Sequence, residues 1–149
     1  MTPNAFISAI GPAAKTSAAQ SKIPASFTIA EGALESGWGA HAPGMNLFGI
    51  KADPSWAGPF TTQTTHEVID GNTITIQAKF RAYSDWLGSI SDHARFLLTN
   101  PRYRPAFAFT TGPLFAQAIA AAGYATDPQY AAKIISIIQA HDLAAFDVA

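Results

Sequence analysis

The sequence predicts an α+β fold that is mostly helical and carries one small inserted hairpin. Three observations support this. Apolar residues recur at helical spacing along most of the chain, and one segment switches to two-residue alternation. No internal repeat, low-complexity run or Pro/Ser-rich linker divides the chain. At 149 residues it reads as a single domain spanning 1–149, long enough to bury a substantial core.

Residues 3–20 read as a helix with Phe6, Ile7 and Ile10 on its apolar side. Pro24 suits the first turn of a second helix, along which Phe27, Ala30, Leu34 and Trp38 recur at helical spacing until Gly37 and Gly39 stop it. Residues 40–60, rich in Pro and Gly, predict an irregular region carrying Asn46, Leu47, Phe48 and Gly49. The period then changes. Ile74, Ile76, Ala78 and Phe80 alternate with polar residues as in a half-buried strand, and residues 61–69 can pair with them across Asp70-Gly71-Asn72, a strong hairpin turn. From Ser84, the expected N-cap, the helical period returns with Leu87, Ile90, Ala94, Leu97 and Leu98 on one face and stops at Asn100-Pro101. A further helix runs from near Pro113 to Gly123. The last starts with Asp127 as N-cap and Pro128 behind it, and carries Tyr130, Ile134, Ile137 and Ile138.

Charged residues are only 13% of the chain and the formal net charge is −1, so a general electrostatic grip on nucleic acid or anionic lipid is not expected. No run of about 18 apolar residues is present to insert into a membrane. With no cysteine there are no disulfides or thiolate metal sites, and the start of the chain does not read as a secretory signal peptide. His41, His66, His93 and His141 lack metal-ligand spacing, and no P-loop, GxGxxG or GxSxG element occurs. No metal or other cofactor is implied. His93 is expected on a helix surface.

The chemistry is expected at Glu35. It falls in the last turn of its helix, where the macrodipole disfavours a carboxylate, with Trp38 beside it and the like charge of Glu31 one turn back. Each influence raises a carboxyl pKa in a partly buried site, and a carboxyl protonated near neutrality can serve as general acid to a glycosidic oxygen. The alternative reading of Glu31 and Glu35 is a solvated helix face. Glycoside hydrolysis usually needs a second carboxylate across the bond. Asp70 is explained by its turn and Asp85 by a helix start, whereas Glu67, on a strand that disfavours its residue type, is left as the candidate beside a solvent-side reading. Aromatic faces suit sugar rings, but most aromatics here, Trp86 and Phe96 among them, are expected in the core. Tyr124 is placed to project into a cleft, because it follows Gly123 at a helix end.

In order along the chain, ALESGWG, NLFGIKA, SWAGP, TTHE, KFRAYSDW, NPRYRPA and AGYATDPQYAAKI resemble the glucosaminidase domain of glycoside hydrolase family 73, most closely its flagellar members. The resemblance implies a lysozyme-like fold, with a helical lobe and a small β-hairpin lobe flanking a glycan groove. It implies an endo-β-N-acetylglucosaminidase that hydrolyses the β-1,4 bond between N-acetylglucosamine and N-acetylmuramic acid in peptidoglycan. It gives Glu35 as general acid, Glu67 as base or stabiliser and Tyr124 as an active-site residue, and Trp38 and Asn46 fall in its motif positions. These two, with Phe48 and Trp56 from the aromatics that suit sugar rings, are the expected substrate-binding residues.

Two departures bear on that expectation. The family position matching Glu31 is commonly an amide, so Glu31 either tunes Glu35 or faces solvent. The loop between Gly39 and Asn46 is short. Peptidoglycan glycan strands are the expected partner, with action in the periplasm or at the bacterial cell wall. A standalone catalytic unit of this kind fits a phage lysin delivered by lysis or an antibacterial effector delivered by a secretion apparatus, and the latter implies a cognate immunity protein. A lytic transglycosylase and a non-catalytic peptidoglycan-binding module are the alternative readings.

Overall fold

A computed structural model of the chain describes residues 1–147; the last two positions of the expected domain lie outside it. Among the described residues, five α-helices, α1 (Pro3–Ser21), α2 (Ala25–Ser36), α3 (Trp86–Thr99), α4 (Gly112–Ala121) and α5 (Tyr130–Ala140), form a helical lobe. Short 3-10 segments at Pro43–Met45, Pro101–Ala108 and Leu143–Asp147 join or follow them. Between α2 and α3 the chain leaves this lobe as an antiparallel hairpin of β1 (Phe60–Ile69) and β2 (Asn72–Arg81). The expected α+β architecture with a helical lobe and a small hairpin lobe is the one observed. Among the described residues no helix is long and apolar enough to cross a membrane.

Helix α2 is the axis of the core. Phe27, Ile29, Ala30 and Ala33 are buried on it, against Phe6 and Ile10 of α1, Phe115 and Ile119 of α4, and Ile134 and Ile138 of α5. Burying each of the Phe and Ile side chains contributes about 1.5–3 kcal/mol relative to leaving it in water. Two helix starts differ from the expected ones. Helix α3 is capped by Asp85, not Ser84, because the Asp85 carboxylate accepts from Gly88 N–H at 2.7 Å. Asp127 accepts from Gln129 N–H at 2.9 Å, so it caps the turn before α5, which begins at Tyr130.

The hairpin closes at Asp70 and Gly71, with φ of 52° and 80°, the left-handed pair of a type I′ turn. Register pairs Glu67 with Ile74, Thr65 with Ile76 and Gln63 with Ala78, so these side chains share one face. That face is the half-buried one along most of its length, which places Glu67 among partly covered side chains. Asn46 and Arg81 fasten the lobe to the helices. Asn46 is buried and donates both Nδ2 hydrogens, to the carbonyls of Ile50 at 2.9 Å and Arg81 at 3.0 Å, while its Oδ1 accepts from Ile50 N–H at 3.2 Å. Arg81 donates to Asp92 of α3 at 2.9 Å, and Tyr83 donates its hydroxyl to the same carboxylate oxygen.

Candidate active site

Glu35 owes its position to the way α2 ends. Gly37, Trp38 and Gly39 all have positive φ, at 58°, 57° and 84°. Three consecutive left-handed residues reverse the chain at once, so Glu35 stands on the last turn of α2. Glycine serves the two flanking positions without strain, and a Cβ on Gly39 would also lie 2.6 Å from the Met1 side chain. Ser36 ties the turn by donating its hydroxyl to the Gly32 carbonyl at 2.6 Å and accepting from Gly39 N–H at 2.9 Å. Each part of Ser-Gly-Trp-Gly therefore has a backbone reason. Glu35 itself is solvent-accessible, yet its carboxyl holds its proton above the ordinary carboxylate range. Desolvation by the surrounding protein is the main cause and the charge of Glu31 the second, with His93 opposing them.

Behind Glu35 lies a cluster that the sequence reading places differently. Glu31 does not face solvent; it is fully buried. Tyr124 donates its hydroxyl to Glu31 Oε1 at 2.8 Å, Tyr130 donates to Oε2 at 2.9 Å, and His93 Nε2 stands 3.0 Å from Oε1. His93 is not a surface residue either: it is 2% exposed and stacks on Phe48 with ring centroids 3.9 Å apart. Burial and the Glu31 charge push both tyrosine hydroxyls far above the ordinary phenol range, so both remain donors at any working pH.

A cleft of about 370 Å³ runs in front of this cluster, lined by Phe48, Gly49, Ile50, Lys51, Asp53, Arg81, Phe96, Tyr103 and Tyr124. Tyr124 projects to it as expected, though its hydroxyl is turned inward to Glu31. Lys51 on the cleft wall holds Glu67 Oε1 at 3.2 Å, which brings the second carboxylate of the hairpin to the rim. A second depression, with Ser55, Trp56, Asp92, Arg95 and Thr99, continues from the first through Arg81 and Phe96. Trp56 covers the Arg81 guanidinium at 4.6 Å and fixes its indole by donating to the Pro59 carbonyl at 2.8 Å. Phe96, expected in the core, is instead 40% exposed on the wall shared by the two depressions.

The remaining two candidates stand behind the groove. Asn46 spends its side chain on the backbone of the hairpin base. Trp38 packs edge-on against Phe6 at 5.7 Å and His141 at 4.9 Å in the helical lobe, where it buttresses the turn after Glu35. Among the described residues no group of three His, Asp or Glu side chains converges to hold a metal ion.

The family described as mannosyl-glycoprotein endo-beta-N-acetylglucosaminidase matches residues 11–143. The peptidoglycan hydrolase FlgJ of Escherichia coli (strain K12) is 41% identical over 142 residues, 91% of this chain and 45% of FlgJ. The exo-glucosaminidase LytG of Bacillus subtilis (strain 168) is 39% identical over 130 residues, 82% of this chain and 45% of LytG. The chain thus spans a little under half the length of these relatives. In three dimensions it matches the glycoside hydrolase domain of Salmonella typhimurium FlgJ with a TM-score of 0.82 at 39% identity, covering 94% of this chain and 97% of that one. Glu35 itself lines neither depression; it stands on the exposed end of α2 next to the Glu31 and Tyr124 cluster that backs the first one. With a family match over nearly its whole length and the fold of a glycoside hydrolase domain, the chain belongs to the glucosaminidase family, glycoside hydrolase family 73.

Proposed function

We propose that this domain is an endo-β-N-acetylglucosaminidase that hydrolyses the β-1,4 bond between N-acetylglucosamine and N-acetylmuramic acid in peptidoglycan. Its work lies in the periplasm or at the bacterial cell wall, where that polymer is found. The observation that carries the reading is the placement of Glu35, exposed on the last turn of α2 one turn after the buried Glu31 cluster, where desolvation and the Glu31 charge favour its protonated form. Such a group can deliver a proton to a glycosidic leaving oxygen.

In this reading a glycan strand lies along the groove between the lobes. Phe96 and Trp56 offer apolar faces to sugar rings, while Phe48, expected to bind substrate, is only 6% exposed and stacks on His93 beneath the cleft wall. Lys51 and Arg81 offer donors to hydroxyl and acetamido oxygens. Glu35 protonates the departing oxygen as positive charge builds on the sugar ring. Glu67, released from Lys51 or still beside it, acts as base toward water or stabilises the oxocarbenium-like transition state. Tyr124 braces the cluster beneath Glu35, while Asn46 and Trp38 hold the two backbone segments that carry the groove.

Purified sacculi provide the test. Wild-type protein should release fragments with reducing N-acetylglucosamine ends, identified by mass spectrometry, and Glu35→Gln should release almost none. Fragments ending in 1,6-anhydro-muramic acid would instead identify a lytic transglycosylase. Binding without release of any fragment would mark a non-catalytic module.

A further inference from the structure

Of the two carboxylates on α2, Glu31 is the one solvent does not reach, and the groups around it come from three other parts of the chain. Tyr124 follows α4, Tyr130 opens α5 and His93 lies on α3. Nε2 of His93 is 3.0 Å from Glu31 Oε1 and 3.1 Å from the Tyr124 hydroxyl. The single hydroxyl proton of Tyr124 goes to Glu31, so with Glu31 ionised Nε2 carries hydrogen and is the third donor to the carboxylate. The Phe48 stack fixes the plane of the imidazole.

An ionisable pair in this position is costly as packing, because both groups give up water and an apolar pair would fill the space without that penalty. Among the described residues, no other counter-charge pairs with Glu31. Helix α1 turns Phe6, Ile10 and Ala14 to the core, and α4 turns Phe115 and Ile119. The ring of Tyr103 lies against Tyr124, and Asp147 from the last 3-10 segment sits at the opposite end of α2, on Ser26. Among the described residues, the field of Glu31 therefore meets one titratable cation, His93, and one carboxyl neighbour on its own helix, Glu35.

We propose that Glu31 and His93 are positioning residues for Glu35: a sealed negative charge and its titratable partner, which together set the pH range over which Glu35 keeps the proton it donates. The inference rests on Glu35 being the general acid. With His93 neutral, the Glu31 charge acts on Glu35 in full and favours its protonated form. An imidazolium at His93 offsets that charge and releases the hold.

The carboxyl carbon of Glu35, followed by NMR against pH and assigned by its loss in Glu35→Gln, reads this directly. Glu31→Gln should move its titration midpoint to lower pH, and His93→Gln should move it to higher pH. The alkaline limb of glycan cleavage should follow, with the ratio of activity at pH 7.5 to that at pH 5 falling about threefold in Glu31→Gln. A folded variant with the wild-type midpoint, or one moved the other way, overturns the proposal. Should Glu31→Gln fail to fold, His93→Gln, which leaves both tyrosine donors in place, decides alone. Wild-type protein that leaves sacculi uncut would defeat the glucosaminidase reading instead, and the titration would still be legible.

Discussion

Glu35 stands one helical turn after Glu31 on α2, solvent-accessible where Glu31 is sealed, and each is held in its state by a different part of the fold. Glu31 is tied into the helical core by two tyrosines and a histidine. Glu35 is left open to solvent by the left-handed turn that follows it. Like charges so placed oppose each other, and the opposition falls on Glu35, the accessible member.

Replacing Glu35 with Gln should therefore have two opposite effects. Loss of the donated proton should reduce glycan cleavage by about 10²-fold or more, the usual scale for a general acid. Stability should not fall. Because the folded protein holds the Glu35 proton more tightly than the unfolded chain, this group favours folding at low pH, and that contribution is lost as pH rises through its folded pKa. Once ionised, Glu35 is a like charge beside Glu31 in a desolvated place, a liability that Gln removes. Thermal melts should show the variant at or above wild type at pH 7, with the gap closing near pH 4. A variant less stable than wild type at pH 7 would contradict the electrostatic account.

Glu67 should behave differently. Its ion pair with Lys51 is open to solvent, with the two side chains 40% and 59% exposed, and exposed pairs contribute about 0–1 kcal/mol. Glu67→Gln should leave the denaturation midpoint almost unchanged. Its rate of sacculus cleavage should fall while binding to sacculi persists. Lys51→Met, which breaks the same pair but keeps the carboxylate, should raise KM through the lost donor while kcat falls far less than in Glu67→Gln. If kcat falls equally in the two variants, the ion pair rather than the carboxylate is what catalysis needs.

Much of this arrangement could be read before any coordinates. The two-residue alternation of Ile74, Ile76, Ala78 and Phe80 together with Asp70-Gly71 specifies the hairpin, because register and turn chemistry are both local. Glu35 was legible through the glycines that end its helix. The cluster behind it was not, although a signal was present. Ile90, His93, Ala94 and Leu97 follow the i, i+3, i+4, i+7 rule, and so do Phe27, Ala30, Glu31 and Leu34. His93 and Glu31 thus sit in the apolar stripes of their helices, and two polar residues in two stripes mark a buried pair. The partners that satisfy them come from residues 93 and 99 positions away from Glu31, a relation that helical period cannot supply. Phe96, one position off its stripe, was left free for the groove.

Asn46 should prove to be a hinge pin of the groove rather than a sugar ligand, since all its hydrogen-bonding capacity toward Ile50 and Arg81 is already used. Asn46→Asp keeps the acceptor for Ile50 N–H but turns an oxygen toward two carbonyls. The lost bonds and the new repulsion should together cost about 2–3 kcal/mol, visible in urea denaturation. Wild-type stability combined with a raised KM would show that the side chain binds substrate instead.

Phe96 offers the sharpest separation of binding from folding. It is 40% exposed and forms a wall common to both depressions of the groove, whereas its neighbour Leu97 is fully buried. Leu97→Ala opens a cavity in the core and should cost about 2–5 kcal/mol. Phe96→Ala removes an aromatic face that water already reaches, so its stability should change by about 1 kcal/mol or less. If sugar rings pack on that face, KM for soluble glycan fragments should rise several-fold with kcat nearly preserved, because the interaction is made equally in the ground and transition states. An unchanged KM in a stable Phe96→Ala protein would move the glycan path away from Phe96, toward the part of the groove lined by Phe48, Lys51 and Tyr124.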